Sequence, residues 1–114
     1  PQLDWDKLIL IGHSNGGDMT MLFATKYPHL INKAISMDHR RMIMPRTEKP
    51  RLYTLRGCDY DADAGVLPTK QEQEQFHMKV VKLDGITHSN MGENGTEEQH
   101  RLINQSISGF LTQK

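Results

Sequence analysis

Apolar residues fall along this chain in short continuous runs. Leu8-Ile9-Leu10-Ile11 is the first, and four aliphatic residues closed by Gly12 read as a strand buried on both faces, because a strand with one wet face would alternate. Behind it, Asn15 to Tyr27 places Met19, Leu22, Phe23 and Lys26-Tyr27 at three-to-four spacing, which predicts a helix ended by Pro28. Lys33 to Met37 is a second strand. Arg51 to Arg56, introduced by Pro50, is a third, with strand formers at Leu52, Tyr53 and Leu55. The link between them, HRRMIMPRTEK, is short and broken by proline, so it predicts an irregular crossover without a helix.

After Gly57 the pattern turns polar. CDYDADAGVLP is an acidic loop closed by Pro68, and Thr69 caps a polar helix, TKQEQEQF, where its hydroxyl can satisfy free backbone donors. Met78 to Leu83 is the fourth strand, followed by the loop DGITHSNMGENG. Thr96 starts the last helix, with Gln99 at capping-box spacing and an apolar stripe of Leu102, Ile103, Ile107, Phe110 and Leu111. Strands alternating with helices or crossovers predict an α/β fold. It is a three-layer sandwich around a parallel sheet of about four strands, with each right-handed connection setting the next strand beside the last.

The join between the first strand and the first helix carries candidate chemistry. Gly12-His13-Ser14-Asn15-Gly16 fits G-x-S-x-G in the strand-to-helix setting that a nucleophile elbow requires. Flanking glycines there remove Cβ atoms that would clash, the serine hydroxyl is pushed out above the sheet, and the Asn15 N–H at the positive helix end can serve an oxyanion. A dinucleotide fingerprint would need G-x-G-x-x-G, which the chain lacks at this point.

A serine needs a base and an orienting acid, which in this architecture follow it in the order acid, then histidine. His88, on the loop after the fourth strand, is placed to reach over the carboxyl ends of the strands toward Ser14. Of the other histidines weighed, His13 is too close to the serine backbone, His77 leads into a strand, and His100 lies on the last helix. The acid is expected among Asp59, Asp61 and Asp63 on the loop after the third strand, with Asp38, at the end of the second, ranked behind them. Asp59, Asp61 and Asp63 have the opening spacing of a calcium loop, but Gly65 is out of place and Lys70 stands where a bidentate glutamate is needed, so no metal is expected. Cys58 has no following helix amide to lower its pKa and is not expected to react.

Composition narrows the remaining choices. A chain of 114 residues has room for one domain and can bury roughly two-thirds of its unfolded surface. Fourteen basic and fourteen acidic side chains cancel, which removes the usual drive toward nucleic acids and anionic membranes. The lone Cys58 cannot pair internally and suits a reducing compartment, so the cytoplasm is expected. No apolar run approaches the roughly 18 to 20 residues of a membrane span, and no basic-then-apolar leader begins the chain.

Taken together, these residues resemble the α/β-hydrolase family of serine esterases and lipases. LILIGHSNGGDM is similar to its central strand, elbow and following helix, KPRLYTLRGCDYDADAGVLP to its acid-bearing strand and loop, and DGITHSNM to its histidine loop. The resemblance implies Ser14 as nucleophile, His88 as base and Asn15 as an oxyanion donor within the Gly12, His13 and Gly16 elbow. It favours Asp63 as the acid, with Asp59 as rival, and implies no cofactor. It covers the carboxyl-terminal half of the family only, so residues 1–114 are expected to be one truncated domain without the loop that gives the second oxyanion donor. Loss of one such donor typically costs about a hundredfold to a thousandfold in turnover.

Three functions compete on these grounds. The leading one is a serine hydrolase acting on a small carboxylic ester through a Ser-Asp-His triad. Against it stand a truncated, catalytically silent scaffold held together by homodimerisation, and a small-molecule binding module in the cleft at the strand ends. In the family the elbow strand is central, so Leu8 to Ile11 is expected to be an exposed edge here. A second copy of the chain, or a separate amino-terminal half, is the expected cover.

Overall fold

The computed structural model describes residues 8–113. Four strands, β1 (Ile9–His13), β2 (Lys33–Met37), β3 (Arg51–Arg56) and β4 (Lys79–Lys82), form one parallel sheet in the order β1-β2-β3-β4. Register runs straight across it, with Ile11 beside Ile35, Ile35 beside Tyr53 and Tyr53 beside Lys79. Each connection therefore lays its strand next to the previous one, as the alternation of elements predicts. The β2 to β3 crossover contains no helix, yet it is not loose, because Met44 within it is fully buried.

Three helices complete the sandwich: α1 (Asn15–Lys26), α2 (Lys70–Phe76) and α3 (Glu97–Thr112). Side-chain alternation along the strands divides the core in two. On one face Met21 and Ala24 of α1 pack with Ala34, Leu52, Met44 and Met78, flanked by Phe76 of α2. On the other, Ile103 and Phe110 of α3 pack with Ile35, Tyr53, Leu55, Ile86 and Met91. The Tyr53 and Phe110 rings stack with centroids 4.7 Å apart. Capping boxes start both later helices: Thr69 with Glu72, and Thr96 with Gln99. The first of these exceeds the single hydroxyl cap expected there.

Two sequence-based expectations are corrected. The first strand is not buried on both faces, since Ile11 is 45% exposed. It lies at the sheet edge, and α3 covers the neighbouring strands on Ile11's face but not β1 itself. The last helix's stripe is narrower than read. Ile103, Ile107 and Phe110 face the sheet, whereas Leu102 and Leu111 flank that line and stay partly in solvent.

Lys33 ties the layers together. Its ammonium, on a residue 6% exposed, donates to the Phe110 and Leu111 carbonyls at 2.8 and 2.9 Å and also to the Gln113 carbonyl. These carbonyls lie at the α3 carboxyl end, where a cation also suits the helix dipole. Among the described residues, no helix is long and apolar enough to cross a membrane.

Candidate active site

The turn from β1 into α1 is very tight. Ser14 sits at φ 57° and ψ −118°, a backbone strain of the kind that clusters at functional sites. Its N–H donates to the Met37 carbonyl at 2.9 Å, which ties the turn to the end of β2. Which glycines permit the turn differs from expectation. A Cβ on Gly12 would fall 2.2 Å from the Gly16 carbonyl oxygen, and one on Gly17 would fall 2.9 Å from the His39 Cβ. Gly16 has open space around it. Close approach of strand and helix is therefore made at Gly12 and Gly17, and Gly16 carries no steric requirement.

The Ser14 hydroxyl lies 3.1 Å from His88 Nε2, and His88 Nδ1 lies 2.8 Å from Asp38 Oδ2. A carboxylate only accepts, so the Nδ1 proton belongs to the bond with Asp38 and the Nε2 lone pair is left facing the serine. That is the tautomer a general base needs. Three segments far apart in sequence meet here: the β1–α1 turn, the end of β2, and the short turn Ser89–Met91 entered through His88. All lie at the carboxyl ends of parallel strands, where such folds present their sites.

Asp38 is fully buried and itself has a positive φ, 57°, which turns its side chain back over the sheet. Its Oδ1 accepts from the Gly57 N–H at 2.8 Å and lies 3.7 Å from an Arg56 guanidinium nitrogen. Arg56, 5% exposed, also donates to the His39 carbonyl and to Thr54 Oγ1. Asp38 is thus held by a backbone donor and a buried cation, which fixes its carboxylate beside His88.

The carboxylate beside His88 Nδ1 is not the one the sequence favoured. Asp63 pairs instead with Arg40 at 3.1 Å on the surface. Asp59 does reach the histidine loop, but through the main chain, accepting from the His88 N–H at 2.8 Å. Neither takes the Nδ1 proton, because Asp38 already stands at that nitrogen. His13 also behaves differently from a bystander: its Nε2–H donates to the His88 carbonyl at 3.1 Å, and the two rings are 4.9 Å apart. His77 pairs with Glu48 and His100 with the Gly92 carbonyl, both away from Ser14. Cys58 is exposed, and among the described residues no group of three or more His, Cys, Asp or Glu could hold a metal ion.

Two further features escaped the sequence reading. The Tyr60 ring lies against His88 with centroids 3.8 Å apart, and nothing in the pattern of the acidic loop singled it out. Beside Asn15, a shallow groove of about 360 Å³ is lined by Met19, Leu22, Met42, Asp18 and Arg41. Asp18 Oδ1 accepts from both the Arg41 and Met42 N–H groups at 2.8 Å, so the start of α1 pins the crossover that forms one wall of the groove.

Comparison with known proteins agrees with this chemistry at a coarse level. The chain is 28% identical over 80 residues to a Drosophila melanogaster protein named "Probable serine hydrolase", a match that takes in 70% of this chain and 24% of that protein. The chain thus spans about a quarter of the length of the relative it matches. No family model matches it, and no solved structure does. The likeness and the parallel sheet fit a hydrolase-like fold.

Proposed function

We propose that this protein is a serine hydrolase that cleaves a carboxylic ester through Ser14, His88 and Asp38. The observation that carries the reading is the linked pair of contacts, 3.1 Å from serine to histidine and 2.8 Å from histidine to buried carboxylate, on a strained elbow serine. His88 takes the Ser14 proton as Oγ adds to the acyl carbon, and Asp38 holds the imidazole and stabilises its cation. The first N–H groups of α1 have no intrahelical acceptor, so the Asn15 N–H is available to the developing oxyanion. Collapse of the tetrahedral species expels the alcohol, which receives the proton back from His88. Water then repeats the sequence on the acyl-enzyme.

The groove of Met19, Leu22 and Met42 beside Asn15 supports a small acyl substrate with an apolar portion, and Arg41 at its rim leaves room for a polar end. Hydrolysis of p-nitrophenyl acetate and butyrate by wild type and Ser14→Ala tests the reading. Ser14-dependent turnover is expected, and equal rates in the two proteins would refute it.

The β1 edge enters the same proposal. Among the described residues β1 pairs only with β2, and Ile11 is exposed on it. A second copy related by a twofold axis would pair the two edges antiparallel and double the sheet, with a separate amino-terminal half as the alternative cover. Sedimentation at low micromolar concentration should give twice the chain mass, and a clean monomer would exclude the homodimer.

A further inference from the structure

Around His88 the acidic loop builds a clamp that the triad does not include. Asp59 accepts from the His88 main-chain N–H, and the next residue, Tyr60, lays its ring against the imidazole at 3.8 Å with a tilt of 35°. Tyr60 is in turn held from outside. The Arg40 guanidinium lies over the phenol ring, 5.9 Å from its centroid, and bonds Asp63 at 3.1 Å, while the Asp63 N–H donates to the Arg40 carbonyl. Arg40 has its pKa raised by the Asp63 hydrogen bond first and by Tyr60 next, so it stays charged. The loop expected to supply the acid thus does something else: it braces the base.

We propose that Tyr60 is a positioning residue, whose ring fixes the plane of the His88 imidazole so that Nε2 faces Ser14, with Arg40 and Asp63 holding Tyr60 in place. The inference rests on the hydrolase reading above. Asp38 and Ser14 hold the imidazole at its two nitrogens, and a ring held only at these edge atoms can still swing out of its plane. An aromatic face 3.8 Å away and tilted 35° to the imidazole limits the swing. It also favours the transition state, because an electron-rich ring attracts the imidazolium more than the neutral base. The requirement is for an aromatic face and not for the hydroxyl.

The test compares the rate of fluorophosphonate labelling in wild type, Tyr60→Phe, Tyr60→Leu and Arg40→Gln, with thermal melting of each and the NMR shifts of the His88 ring protons. Tyr60→Leu is expected to slow labelling about tenfold and to abolish the upfield ring-current shift of His88, while the melting temperature moves little because Tyr60 lies on a partly exposed loop. Tyr60→Phe should restore both readouts to near the wild-type values, and Arg40→Gln should fall between. Labelling of Tyr60→Leu at the wild-type rate, or a Tyr60→Phe loss as large as that of Tyr60→Leu, would overturn the proposal while leaving the hydrolase reading intact. If the wild type itself does not label, the hydrolase reading falls and the positioning role falls with it.

Discussion

Replacing Asp38 with Asn should nearly abolish activity, and the reason lies in which way the new amide must point. The Gly57 N–H, 2.8 Å from Oδ1 in a fully buried site, demands an acceptor, so the Asn oxygen stays there and the NH₂ group turns toward His88. Facing a donor, His88 Nδ1 becomes the acceptor and its proton moves to Nε2, where it points at Ser14 and cannot receive the serine proton. A wrong tautomer in an otherwise intact triad costs about 10⁴ in turnover, or about 5 kcal/mol of barrier. Asp59→Asn keeps an oxygen that accepts from the His88 N–H and should lose less than about tenfold. Asp63→Asn breaks a half-exposed, solvent-screened ion pair and should also stay within about tenfold. Ester hydrolysis and fluorophosphonate labelling read all three, with melting curves recorded because Asp38→Asn also removes the carboxylate near buried Arg56. The reasoning fails if Asp38→Asn keeps more than a tenth of the activity, or if either loop variant matches its loss.

Three further outcomes follow from the packing. Gly12→Ala should destabilise by about 1–3 kcal/mol or prevent folding, since its methyl would meet the Gly16 carbonyl, while Gly16→Ala should melt within a few degrees of wild type. Burial first and the Arg56 charge second push His39 down to about 4, so the unfolded chain binds more protons between that value and about 6.5. Its contribution, about 3 kcal/mol, is present above pH 6.5 and lost as pH falls toward 4, and chemical melts across that window should be flatter in His39→Gln. Lys33→Met removes the ammonium donor from the carboxyl-terminal carbonyls of α3 and should cost about 1–3 kcal/mol, with faster hydrogen exchange confined to the last turn of that helix.

Much of this fold was legible because its signals are local. The parallel order, both later helix starts and the elbow follow from apolar runs, caps and the G-x-S-x-G spacing, each of which acts within a few residues. The choice of acid is different. Asp59 and Asp63 sit in the loop where an acid is expected, and only the positive φ of Asp38, the Gly57 donor and the nearby Arg56 charge decide which carboxylate meets His88. One sequence signal pointed the right way: Asp38 directly follows the second strand, at the carboxyl end of the sheet where such folds present their sites. Two-sided burial of the first strand failed for a related reason, since a run of aliphatic residues reports β-propensity but not which layer covers it, whereas its exposed edge was anticipated. Tyr60 had no local signature at all, because stacking across 28 residues of chain depends on loop shape.

Intact-mass and peptide mapping after fluorophosphonate treatment would decide whether Ser14 is an activated nucleophile, because the reagent phosphonylates a serine whose proton is already being drawn away. A single adduct is expected on the peptide carrying Ser14, absent in Ser14→Ala and in His88→Asn. A folded protein that takes up no label, or that takes it up equally without His88, would contradict it.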